Sequence, residues 1–249
     1  MKKHFVFLLL VLLSLVAVCP YAGIVHASSN TVPNELKGID FSKPPSQKEQ
    51  ERIMDYYRKY NKEVCEKISR EPNKQSSSSK KDKRTKYAVG TYGDILYAYE
   101  FCVSFLCGSI IGHAGIVSTD RRWTIESYPA RGARMAHITG KARRENGVRK
   151  YENAWKKSSK VMGLRVRTAK KRHYMGAAKY AMKQAALRKS YNWNLCNKYT
   201  ERKFYCSQLV WRAWKQQGYR IESVNLGKYD PVLPVELYWS PLTYVFYKK

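Results

Sequence analysis

An α+β domain is predicted for this chain by three observations: short strand-like runs gathered in one block, amphipathic helical segments before and after that block, and no internal repeat. A polar lead-in over 28–45 carries Pro33, Pro44 and Pro45. Ser46-Gln47-Lys48-Glu49 is a capping box, and Ile53, Tyr56, Tyr57, Tyr60, Val64 and Ile68 follow at helical spacing, so a helix is predicted that ends at Pro72. Residues 73–86 hold four consecutive serines and a cluster of Lys and Arg, the composition of a flexible linker.

From Tyr87 the texture changes. Asp94 to Tyr99 has strand character, and Phe101 to Ile111 is an apolar connection with room for a short helix. Ala114 to Ser118 and Trp123 to Tyr128 read as two strands of a hairpin turning at Thr119 to Arg122. Another strand is expected within Gly132 to Ile138, while the charged residues 140–158 are expected to be helical or irregular. Val161 to Val166 predicts a strand, Ala169 to Leu187 a helix, Cys206 to Gln217 a helix stopped by Gly218, and Leu242 to Tyr247 a strand. The organisation that results is a leader over 1–27, a helical extension and linker over 28–86, and a domain over 87–249.

The leader is read from Lys2, Lys3 and His4, an apolar run from Phe5 to Val18, and the small-x-small triplet Val25-His26-Ala27. Cleavage after Ala27 and export are expected, with the mature chain secreted or associated with the cell wall. Lipidation at Cys19 fits less well, because Val18 precedes it and Pro20 follows. The chain holds 47 Lys+Arg against 19 Asp+Glu, a formal net charge of +28. In an exported protein that excess points to anionic envelope polymers or lipid head groups and away from nucleic acid, and the attraction should weaken with salt.

Six cysteines are present, and loss of Cys19 leaves Cys65, Cys102, Cys107, Cys196 and Cys206. An odd number leaves at least one thiol outside any disulfide. The remaining four allow up to two disulfides or stay as buried thiols. No Cys/His spacing of a zinc site is present.

A thiol hydrolase needs a thiolate, an imidazole and a polar group that orients the imidazole. Cys206 follows the strand-like Phe204-Tyr205 and opens the amphipathic run Ser207 to Trp211, so its sulfur is expected at a helix N-terminus, where thiolates are favoured. His113 is the candidate base, on a strand and flanked by Gly112, Ala114 and Gly115, small residues that leave room for a substrate backbone. His137 is the second choice, and His173 sits among Lys and Arg and is expected to be solvated. Glu126, in the second strand of the hairpin, is placed to accept the other imidazole N–H.

Gly93-Asp94-Ile95-Leu96, then Gly112 to Val117, then Ile125-Glu126-Ser127, then Phe204 to Val210, in that order, resemble the YiiX/YebB-like permuted papain-like hydrolases, relatives of the NlpC-type cell-wall peptidases. Leu233 to Leu237 and Ser240-Pro241 resemble the closing segment of that family. The resemblance covers roughly 87–247. It implies a papain-like fold with an antiparallel sheet packed against helices, and a catalytic set of Cys206, His113 and Glu126. It implies a structural role for Asp94, holding the strand entry by turn hydrogen bonds, and no cofactor. The expected activity is cleavage of amide bonds in peptidoglycan stem peptides through an acyl-enzyme, by a monomer. Action on a lipid amide or acyl group by the same site, and a non-catalytic envelope-binding role, are the alternatives.

Overall fold

A computed structural model describes residues 32–74, 85–99, 112–129 and 146–249, together with the backbone of 135–136 and 142–143. The leader, the segment Phe101 to Ile111, His137, Cys102 and Cys107 lie outside the described residues. The protein is α+β, with an antiparallel six-stranded sheet and helices.

Helix α1 spans Gln47–Arg70 and opens on the predicted capping box, Ser46 Oγ accepting from Glu49 N and the Glu49 carboxylate from Ser46 N. Strands β1 (Ile95–Ala98), β2 (His113–Val117) and β3 (Trp123–Tyr128) form the heart of the sheet. Short β4 (Met135–Ala136) and β5 (Ala142–Arg143) pair with each other. They precede β6 (Gly147–Glu152) and β7 (Val161–Val166). Helix α2 is Lys171–Ala186, and β8 (Ser190–Tyr191) and β9 (Lys203–Phe204) form a two-residue parallel pair. Helix α3 (Cys206–Lys215), helix α4 (Pro234–Trp239) and β10 (Thr243–Lys248) follow. The sheet order is β10-β7-β1-β2-β3-β6.

Within the stretch 140–158, expected to be helical or irregular, Gly147–Glu152 forms strand β6. It lies at the sheet edge against β3, where Val148 and Tyr151 are buried while Lys150 and Glu152 face solvent. Charged residues are tolerated there because an edge strand has one neighbour only, and they hide the alternation in the sequence.

Alternation along the strands divides the core in two. Ile95, Tyr97, Ala114, Ile116, Ile125, Met162 and Leu164 pack with the helices, whereas Leu96, Ala98, Val117 and Val161 pack with Val89, Trp155, Phe246 and Tyr247 on the other face. Helix α1 contributes Ile53, Tyr57, Val64 and Ile68 to the same core as α3 and α4. Its polar anchors are long in sequence: Tyr57 Oη donates to Asp230 at 2.8 Å, Cys65 Sγ lies 2.8 Å from the Tyr99 carbonyl, and Lys248 Nζ donates to the Ile68 carbonyl at 2.6 Å. Beneath α3, Lys198 and Asp230 form a fully buried ion pair at 3.5 Å, with Asn225 Oδ1 at 3.3 Å from Lys198 Nζ.

Candidate active site

Cys206 is the first residue of α3, and the chain before it is held on three sides. Ser127 Oγ of β3 donates to the Phe204 carbonyl at 2.7 Å, β9 pairs with β8, and Gln208 Oε1 accepts from Tyr205 N at 3.1 Å. Gln208 also donates through Nε2 to the carbonyls of Lys198 and Thr200, and Ser207 Oγ donates to the Val232 carbonyl at 2.6 Å. The helix start is therefore fixed by side chains of its own first turn.

Strand pairing brings His113 to this point. The β2–β3 ladder runs from Val117↔Thr124 to Gly115↔Glu126 and stops. The next β2 amide, Ala114 N–H, and the Ser207 N–H lie close enough to the Cys206 sulfur to favour its charged form. The sulfur thus sits at the fork between β2 and β3. His113 stands close enough to the same sulfur to interact with it, and its Nε2 lies 2.9 Å from Glu126 Oε2. With Nε2 engaged by the carboxylate, Nδ1 is the ring nitrogen left for Cys206. The three residues predicted from sequence are brought together.

Register explains how Glu126 reaches the ring. Continuing the pairing by two residues sets Tyr128 opposite His113, and the two rings stack with centroids 4.2 Å apart. Glu126 is the diagonal neighbour, within reach because its side chain is long. It is fully buried and also accepts from Tyr128 Oη at 2.8 Å, Trp155 Nε1 at 3.1 Å and Thr124 Oγ1. These donors hold the carboxyl group in place and aim it at His113. The Trp155 ring lies 6.0 Å from that of His113 and near-parallel to it.

The glycines near His113 are required by the packing around them. A Cβ at Gly115 would come within 2.9 Å of Glu126 Cγ and 3.1 Å of Trp155. Gly112 has φ +79°, and a Cβ there would meet the Ala98 carbonyl at 2.9 Å. Asp94 accepts from Thr91 N at 2.8 Å and pairs with Arg165 at 3.0 Å, a turn anchor at the other end of β1. His173 stands at the start of α2, partly buried, with its Nδ1 3.0 Å from Tyr219 Oη. Cys196 is a buried thiol that burial pushes up to about 12.

Electrostatics separate Cys206 from that inert thiol. Burial by itself would raise the Cys206 thiol, but the His113 imidazole and the amides of Ala114 and Ser207 outweigh it and hold the thiol below its ordinary value. Burial likewise disfavours the charged imidazole, yet Cys206 and Glu126 outweigh it and carry His113 up to about 9. Both shifts run in the direction that favours a thiolate–imidazolium pair. Trp155, Tyr128 and Thr124 were not singled out by the sequence. A polar or aromatic residue two positions either side of Glu126 is the one signal for Tyr128 and Thr124, and Trp155 has none.

Among the described residues, no group of three His, Cys, Asp or Glu side chains could hold a metal ion. No protein-family model matches the chain, and no curated protein matches it. A crystal structure of the metalloprotein YiiX from Escherichia coli O157:H7 (DUF1105) is similar, with a TM-score of 0.45 and 14% identity over 64% of this chain and 97% of that one. The likeness is distant and adds no weight to the reading of the site.

Proposed function

We propose that the protein is a cysteine hydrolase of the permuted papain-like type that cleaves amide bonds, with peptidoglycan stem peptides as substrate. The observation that carries this reading is the relay from a helix-start thiol through a buried imidazole to a buried, multiply hydrogen-bonded carboxylate. Cys206 thiolate attacks the amide carbonyl, and N–H groups at the start of α3 steady the oxyanion. The imidazolium then protonates the leaving amine, which departs as the acyl-enzyme forms. Neutral His113 next takes a proton from water, hydroxide attacks the thioester, and the acid is released with thiolate and imidazolium restored. Glu126 keeps Nε2–H engaged throughout, so the ring presents Nδ1 to the reaction. The export leader and the basic charge support a wall substrate.

The test is mass spectrometry of peptidoglycan fragments incubated with the mature protein and with Cys206→Ala. New peptide ends made by the parent alone identify the bond. No product from either protein sinks the wall substrate and directs the same assay to lipid amides.

The charge state of the pair sets a pH profile. On the acid side, protonation of the thiolate removes the nucleophile, and the depressed thiol value moves that limb below the range of a free cysteine. On the alkaline side, activity should fall near about 9, where the imidazolium loses the proton it owes the amine. A kcat/KM that keeps climbing through that pH would mean a neutral thiol and imidazole in the resting site.

A further inference from the structure

The exposed side of α2 and the turn leading into it are rich in cations, with Glu201 beside Tyr180 on one flank. From Asn153 to Thr200 the sequence has 13 Lys and Arg and no Asp or Glu. Two of these cations are used internally, Lys198 with Asp230 and Arg165 with Asp94. On α2 itself, Ala177, Ala178, Ala181 and Gln184 face the core. Arg172, Lys179 and Lys183 are exposed on the opposite side, within one narrow stripe that runs about 17 Å along the axis. Arg188 continues it past the helix end. None of the four has an acidic partner among the described residues.

At the other end the stripe opens on a groove of about 400 Å³ lined by Val166, Arg167, Thr168, Ala169, Tyr174 and Tyr244. Arg167 stands over the Tyr244 ring at 5.5 Å, and Tyr244 is 39% exposed. Thr168 holds φ +25°, a strained backbone for a β-branched residue, and so shapes the groove at a cost in stability. Lys170, Lys171 and Arg172 follow at once, where the helix dipole repels cations. Both features cost the free protein stability, and an anion lying here would relieve the charge repulsion.

We propose that this groove and stripe dock a linear phosphate polymer. The direction of α2 gives the docking a purpose. Tyr174, in its first turn, packs against Gly93 at the end of β1 remote from His113. Beyond its last turn the Lys189 carbonyl accepts from Val148 N, and Tyr191 pairs with Phe204, two residues before Cys206. A polymer lying along the stripe is thereby led from the far end of the sheet to the end that holds the thiol. A lipid surface fits less well, because Leu187 is the one large apolar side chain exposed on this helix and its flanks, and a membrane-lying helix needs an apolar face.

Binding is tested with the mature Cys206→Ala protein, so that the result does not depend on the hydrolase reading. The probe is labelled long-chain inorganic polyphosphate, read by fluorescence anisotropy over a salt series. Arg172→Gln/Lys179→Gln/Lys183→Gln should weaken binding about tenfold or more near 0.1 M salt and lower the salt slope by about three. Lys48→Gln/Lys62→Gln/Lys67→Gln on α1 removes the same charge from another face and should change affinity less than about twofold. Equal losses in the two triples would overturn the proposal in favour of diffuse net charge. Binding to phosphatidylglycerol vesicles without binding to polyphosphate would overturn it in favour of a membrane face, and binding to neither would overturn it outright.

Discussion

Replacing His113 by alanine is expected to silence Cys206 and to lower kcat/KM by about 10⁴-fold or more. Two effects add. The imidazole is the largest influence holding the buried thiol in its charged form, so without it burial wins and Cys206 becomes an inert buried thiol, like Cys196. The acid that protonates the leaving amine is lost as well. Alkylation separates the two effects, since it needs the thiolate and not the acid. Iodoacetamide labelling of Cys206 near pH 6 should slow by about 100-fold in the variant. Unchanged labelling alongside lost hydrolysis would show that the helix start and the Ala114 amide sustain the thiolate without the imidazole.

Asp230→Ala should be the most destabilising single change outside the site, by about 3–5 kcal/mol. Lys198 is fully buried and its ion partner is Asp230, so the substitution strands a cation in the core. Tyr57 Oη of α1 and the Leu226 amide lose their acceptor in the same step. For a chain of this size the melting temperature should drop by roughly 10 °C. Lys198→Met/Asp230→Leu removes both charges and should recover most of the loss. A melting temperature within about 2 °C of the parent for Asp230→Ala would show that water reaches the site and solvates the lysine.

The hairpin carrying His113 and Glu126 is legible in the sequence because both strands are short, apolar and joined by a polar turn, so pairing follows from local pattern alone. Cys206 is legible for the same kind of reason: an amphipathic run begins at it. What surrounds Glu126 is less so. The spacing of thirteen residues brings Glu126 near His113, but the register that sets Tyr128 against the ring depends on where pairing stops. Beyond Gly115↔Glu126 the pairing gives way to the site itself, where Cys206 comes close to Ala114. Trp155 belongs to a short 3-10 turn (Trp155–Lys157) after an edge strand whose charges conceal its alternation, and it meets Glu126 only once β6 has paired with β3. Helix α4 is missed because six residues are too few for a periodic signal, and Pro234 at its start reads equally well as a loop. The pair β8–β9 consists of two-residue strands brought together across eleven intervening residues, which no local pattern announces.

The anchors of α1 have a consequence for how the chain comes to be folded. Tyr57 waits for Asp230, and the Ile68 carbonyl waits for Lys248, partners 173 and 180 residues further on. During synthesis α1 is made early, and these two anchors cannot form until residues 230–248 have been made. Closing loops of that length is slow. The anchors of the first helix are therefore complete only when the last strand is in place, and damage to the C-terminal strand should loosen the N-terminal helix with it.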